Sequence, residues 1–285
     1  MTAAGTAGYG DELAGYGDLS ELGAVVTKSL AHFAHEGNLA PRVAAEGSDM
    51  LNSVGLAGPG IAVWAERDLP RVLQRGARVV GSLWGRTTED YARGAAMFAG
   101  LPLSALEVNA SCPNVEGRSR MFAHSTEATR DIVEASAAAG LPRWVKLSPN
   151  TPDLVEIAGA ALDAGAEALV LVNTVLGLAI DVDARRPTLG AGGGGLSGPG
   201  ILPVALRAIY DVHRAFPRAP LVGVGGVSSG RDAVAMIMAG ASAVQVGTAS
   251  FADPRAPWRV AREMSRWMHH HGVVSLEEIR GVAHG

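Results

Sequence analysis

The sequence predicts a (β/α)8 barrel of the TIM type, because short apolar runs of strand length alternate with Ala-rich stretches of helix length, and polar residues gather where the runs end. Residues 1–6 supply an abbreviated first strand at the amino terminus. The runs that follow are 24–29 (AVVTKS), 78–83 (RVVGSL), 105–111 (ALEVNAS), 144–148 (WVKLS), 168–174 (ALVLVNT), 220–227 (PLVGVGGV) and 243–249 (AVQVGTA). Each is nearly continuous in apolar residues, as a parallel strand covered on both faces requires. Between them, 87–99, 125–139, 154–164, 203–215 and 230–239 repeat apolar residues at helical spacing, several with acidic residues early, where the helix dipole favours them. No composition break divides the chain. One domain over residues 1–285 is expected, at a length that barrels commonly reach.

Composition narrows the function. Hydrophobic residues make up 48% of the chain against 18% charged, which excludes a disordered chain and allows a sizeable core. The net charge of -4 comes without any Lys/Arg cluster, which argues against a nucleic-acid or charged-membrane partner and for small-molecule chemistry. No apolar run approaches membrane-spanning length and no signal-like start is present, so a cytoplasmic protein is expected. Cys112 is the only cysteine, so no disulfide can form within the chain.

In a barrel of this kind the chemistry sits at the carboxyl ends of the strands, where the following loops converge. Lys28, Ser29, Asn109, Lys146, Asn173 and Thr174 all fall at such ends. The run Asn109-Ala110-Ser111-Cys112-Pro113-Asn114 places a thiol between two amides. A lone cysteine is either a small buried hydrophobe or, where exposed and ionisable, a base or nucleophile. Lys146 interrupts an apolar strand, where a buried ammonium needs an anion; that anion is either a structural carboxylate or a reduced flavin, whose N1 and O2 region carries negative charge. Asn52, Asn109, Asn114 and Asn173 lie in separate loops or strand ends, as turn residues or as groups converging on one planar ligand rich in carbonyl and NH groups. Gly225-Gly226 and Gly247-Thr248 let backbone N–H groups approach a phosphate and suit flavin mononucleotide (FMN), whereas the spacing required for a Rossmann dinucleotide fingerprint is absent. The glycine run 192–195 reads equally as a flexible loop.

Taken together, these residues resemble the dihydroorotate dehydrogenase family over essentially the whole chain. Residues 109–114 (NASCPN) resemble its active-site strand, 195–199 (GLSGP) its flavin loop, 243–249 (AVQVGTA) its phosphate-side strand and 52–56 (NSVGL) its orotate loop. The resemblance implies oxidation of dihydroorotate to orotate in pyrimidine (UMP) synthesis, with Cys112 as catalytic base. It implies FMN contacts from Lys28, Ser29, Asn109, Lys146, Val172, Gly198, Gly225, Gly226, Gly247 and Thr248. Orotate would be held by Lys28, Asn52, Ser53, Val54, Gly55, Leu56, Asn109, Asn114, Asn173 and Thr174, and no metal is implied. Residues 173–187 (NTVLGLAIDVDARRP) further resemble the NAD-linked class 1B branch, whose catalytic subunit forms a homodimeric core and passes electrons to a second subunit carrying FAD and an iron-sulfur cluster.

Three departures stand against the family pattern. Ala4 replaces a flavin-contacting serine, Ser82 replaces an asparagine, and residues 115–125 lack the glycine pair usual in the loop over the active site. Residues 1–10 read as strand end and loop, so Met1 is expected inside the first barrel strand, with the start truncated or misassigned. Two other activities share parts of the pattern. A dihydropyrimidine dehydrogenase-like flavin enzyme uses a similar cysteine strand but departs from asparagine at the position of Asn114, and a catalytically impaired barrel would serve only as a binding subunit.

Overall fold

The computed structural model describes residues 1–111 and 121–285. Each predicted run supplies a strand to one parallel sheet, in the order Val25–Val26, Val79–Leu83, Ala105–Asn109, Arg143–Lys146, Ala168–Leu171, Leu221–Val224 and Ala243–Gln245. Most of these strands stop short of the predicted runs at their carboxyl ends. Beyond the strand ends Lys28, Ser29, Ser111, Asn173, Thr174, Gly225, Gly226, Gly247 and Thr248 line a cavity instead.

The two edges of this sheet are joined by the amino terminus. Thr2 forms a parallel bridge with Val246, Ala3 N–H donates to Val246 O at 2.9 Å, and Val246 N–H donates to Met1 O at 2.9 Å. On the other side Thr2 N–H reaches Ala24 O at 3.2 Å, and Thr2 Oγ1 accepts from Val26 N–H at 2.9 Å. Residues 1–3 therefore occupy the place of the abbreviated first strand.

Side chains alternate between the two faces of each strand. Leu106, Val108, Val145, Leu169 and Leu171 join the main core cluster. Their neighbours form smaller clusters: Val26, Val80 and Ala105 in one, Val170, Val222 and Val224 in another, with Met1 and Trp144 packed against both. Those two small clusters fill the barrel interior below the polar layer described in the next section.

Helices Thr88–Phe98, Thr126–Ala135, Leu154–Asp163, Leu202–Ala215 and Gly230–Met238 occupy the predicted positions. Thr87, Ser125 and Ser229 each accept a backbone N–H at a helix start, the usual work of a hydroxyl N-cap. The predicted helix at 125–139 ends as a tighter 3-10 turn, Ser136–Ala139, and stops at Gly140 in the left-handed region. Helices Ile61–Arg67, Leu69–Gln74 and Ala256–His270 add to those predicted. The first of them buries Trp64, which packs edge-on against Phe98 at 5.8 Å and donates Nε1–H to Tyr9 O at 2.8 Å. Each large side chain buried in this way contributes about 1.5–3 kcal/mol.

A second sheet covers one side of the barrel mouth, with antiparallel strands in the order Val43–Glu46, Asp49–Asn52, Gly194–Ser197 and Val175–Gly177. Here the glycine run proves structural rather than flexible at its end. A Cβ on Gly194 would lie 2.4 Å from Asn52 O, and one on Gly195 would lie 2.1 Å from Thr174 Oγ1, so the strand fits only without side chains at these two positions. No described helix is long and apolar enough to cross a membrane.

Candidate active site

A cavity of about 760 Å³ opens between the strand ends of the barrel and the antiparallel sheet. That volume lies within the range of roughly 300–1,000 Å³ typical of clefts that enclose a small organic ligand. Lys28, Ser29, Asn109, Lys146, Val172, Asn173 and Thr174 line it from the barrel strands. Asn52, Ser53, Val54, Gly55 and Leu56 line it from the antiparallel sheet and the loop that follows, and Gly198, Gly225, Gly226, Gly247 and Thr248 complete the wall. Every predicted site residue that the structure describes is thus on one surface. Cys112 and Asn114 lie outside the described residues; their flanking neighbours Ser111 and Met121 both line the cavity.

The asparagines are held by specific partners. Asn109 is buried, donates Nδ2–H to Ser29 Oγ at 3.2 Å, and accepts the Ser111 N–H on Oδ1 at 3.2 Å. Its own backbone oxygen accepts the Tyr91 hydroxyl at 2.6 Å. Ser29 Oγ also pairs with Ser82 Oγ at 2.8 Å, so the residue that departs from the family's asparagine supports Ser29 on the cavity wall. Asn52 donates to Gly195 O at 3.1 Å, its partner in the ladder. Asn173 Oδ1 accepts the Thr174 N–H at 2.9 Å, and Thr174 O accepts from Asn150 Nδ2 at 3.0 Å. Ala4, the other departure, lines the cavity with a methyl group.

The loop at 53–56 is strapped in place by Asn38, which donates to Ser53 Oγ at 2.8 Å and through its backbone N–H to Val54 O at 3.1 Å. Gly55 sits at φ +70 with Asn38 Cγ 2.5 Å from where a Cβ would be, so the approach requires glycine.

Lys146 is buried on the inward face of its strand with Nζ 3.8 Å from Glu107 Oε1. Sequence reasoning offered a carboxylate or a ligand as its anion. The structure supplies a carboxylate from inside the barrel while leaving Lys146 on the cavity wall, so the ion pair and an interaction with a bound anion are compatible.

The glycine elements suit an anionic group. Gly225 at φ +124 and Gly226 at φ +77 hold conformations that L side chains rarely adopt. The backbone N–H groups of Gly225, Gly226, Gly247 and Thr248 donate to no acceptor among the described residues, which leaves four donors on the cavity wall for phosphate oxygens. Behind them, Ser228 and Ser229 are fixed by Asp232 at the start of the Gly230–Met238 helix.

Sequence reasoning missed His35, Asn38 and Trp84, which line the wall beside the 53–56 loop. His35 Nδ1 lies 3.1 Å from Arg86 Nη2, and burial together with the Arg86 charge holds its imidazole below the usual histidine range. No spacing in the sequence marks these residues, since 35 and 84 meet only in three dimensions.

A parallel barrel whose polar strand ends and glycine turns enclose a cavity of this size defines an α/β-barrel protein with a small-molecule site at its carboxyl-terminal mouth. The sequence profile of the family described as dihydroorotate dehydrogenase matches residues 1–268, and the chain belongs to that family of oxidoreductases. A protein of Geobacter sp. (strain M21) is 44% identical over 284 residues, covering 99% of this chain and 93% of its own length. One of Alkaliphilus metalliredigens (strain QYMF) is 43% identical over 282 residues with the same coverage. Both are named dihydroorotate dehydrogenase B (NAD(+)), catalytic subunit, in agreement with the class 1B resemblance read from residues 173–187.

Proposed function

We infer that the chain is a cytoplasmic FMN enzyme, a single FMN-binding domain over residues 1–285, that oxidises dihydroorotate to orotate for UMP synthesis. The observation that carries this reading is the meeting of Asn52, Asn109 and Asn173 with Lys28, Lys146 and four backbone N–H groups that have no acceptor among the described residues, around one cavity. The amides suit a planar ring of carbonyl and NH groups, and the N–H groups suit a phosphate.

Gly225, Gly226, Gly247 and Thr248 would hold the FMN phosphate, with Lys28, Ser29, Asn109, Lys146, Val172 and Gly198 beside the rest of the molecule. FMN when bound supplies the acceptor for hydride from C6 of the substrate. Asn52, Asn109, Asn114, Asn173 and Thr174, with Lys28 and the 53–56 loop, fix the substrate ring. Orientation of this kind can remove up to about 7–11 kcal/mol of a barrier. The Cys112 thiolate takes the C5 proton, acidified by the adjacent C4 carbonyl. Lys146 places a positive charge on the cavity wall, where electrons delivered to the site are stabilised. Electrons then leave through a partner subunit carrying FAD and an iron-sulfur cluster, docked on a homodimeric core.

Absorbance of the purified protein, followed by anaerobic bleaching with dihydroorotate and, in parallel, dihydrouracil, tests the reading. A flavin band bleached by dihydroorotate supports it. Bleaching by dihydrouracil alone, or a colourless protein that FMN cannot reconstitute, overturns it.

A further inference from the structure

The barrel interior holds a charged layer directly beneath the cavity. Glu107 and Gln245 come from strands on opposite sides of the barrel, yet Gln245 Nε2–H donates to Glu107 Oε2 at 2.9 Å, and neither side chain reaches solvent. Glu107 Oε1 makes no hydrogen bond among the described residues, and the cation nearest to it is Lys146, with Nζ at 3.8 Å. Gln245 Oε1 is likewise without a donor. A buried carboxylate left in this position is stable only with a cation beside it. The pair therefore balances charge internally, while the contact is too long to engage the ammonium fully as a hydrogen bond.

The geometry points to Glu107 as a positioning residue that acts through Lys146: tethered by Gln245, it holds the ammonium on the cavity floor and offsets part of its charge. It thereby sets how strongly the site favours electrons on the flavin. This inference rests on the reading of the cavity as an FMN site. Glu107 touches neither substrate nor cofactor; its effect reaches them only by way of Lys146. Its removal leaves the ammonium uncompensated, so the flavin becomes easier to reduce. Without Lys146, by contrast, Glu107 has no ammonium to hold or to offset, so replacing it no longer reaches the flavin.

The test measures the midpoint potential of the bound flavin and the FMN dissociation constant of the apoprotein in four holoenzymes: wild type, Glu107→Gln, Lys146→Gln and the double variant. Glu107→Gln keeps an acceptor for Gln245 and is expected to raise the potential by about 30 mV, the equivalent of a tenfold change in a two-electron equilibrium. In the Lys146→Gln background the same substitution should change neither quantity. An unchanged or lower potential in Glu107→Gln overturns the inference, as does an equal shift in both backgrounds, which would mean that Glu107 acts independently of Lys146. Glu107→Asp, which withdraws the carboxylate from Lys146 but retains its charge, should give a smaller shift in the same direction. If Glu107→Gln does not fold, an unshifted Glu107→Asp overturns the inference. Absence of flavin from the wild type would instead remove the FMN reading on which the inference rests.

Discussion

The carboxylate of Asp232 accepts two hydrogen bonds from Ser228, from the backbone N–H at 3.0 Å and from the hydroxyl at 2.9 Å, and so locks the turn that follows Gly225-Gly226. A third, from Ser229 N–H at 2.8 Å, completes a reciprocal cap at the start of the Gly230–Met238 helix. Burial alone would raise the carboxyl pKa, but the hydrogen bonds from Ser228 and Ser229 outweigh it and hold Asp232 below the usual range. Its stabilising contribution is therefore complete above the ordinary carboxyl value of about 3.9 and is lost as pH falls through the lower folded value. Asp232→Asn is expected to cost about 1 kcal/mol at neutral pH, read from urea midpoints. The difference between the two proteins should shrink in unfolding series below pH 4. A constant difference across that range would show that ionisation of Asp232 is not involved.

Gly226 cannot carry a side chain in this fold. A Cβ there would lie 2.6 Å from Leu202 Cα and backbone N, at φ +77. Gly226→Ala is expected to lose about 1–3 kcal/mol of stability and to weaken FMN binding, because the turn must move to admit the methyl group. Thermal unfolding with and without FMN measures both effects. Retention of wild-type stability would mean that the turn relaxes freely.

Lys146→Ala removes the charge on the cavity wall and leaves the Glu107 carboxylate without its cation. FMN binding should weaken about tenfold to a hundredfold, the worth of a charged hydrogen bond, and flavin reduction should slow. Fluorescence titration of the apoprotein and stopped-flow reduction provide the two readings. A variant with wild-type flavin content and reduction rate would assign Lys146 to the Glu107 pair alone.

No other thiol in the chain can replace Cys112, and the amides of Asn109 and Asn114 are not bases. Cys112→Ala should retain FMN and bind orotate, since most of the proposed contacts come from other strand ends, yet bleach with dihydroorotate roughly 10² to 10⁴ times more slowly. Anaerobic stopped-flow measurement decides, with orotate titration as the binding control. Near wild-type bleaching by the alanine variant would remove Cys112 from the mechanism.

The sequence by itself determined the barrel and most of the residues that line its cavity. Apolar runs of strand length such as 78–83 and 168–174, alternating with helical stretches, read as buried parallel strands, and a barrel's strand ends converge on one face, so Lys28, Asn109, Lys146 and Asn173 could be placed together from local pattern alone. The antiparallel sheet was not legible in this way. Val43–Glu46 pairs with Asp49–Asn52, which in turn pairs with Gly194–Ser197 across more than a hundred residues, and the approach of that last strand depends on missing side chains at Gly194 and Gly195, which a local pattern cannot distinguish from a flexible loop. The sequence predicted an anion for Lys146 but could not choose its source. Glu107 reads there as one charge in an apolar strand, and only closure of the barrel, which brings Ala243–Gln245 opposite Ala105–Asn109, brings Glu107 and Gln245 together beside Lys146. Local periodicity specifies which face a side chain takes; only the closed tertiary structure specifies what it meets there.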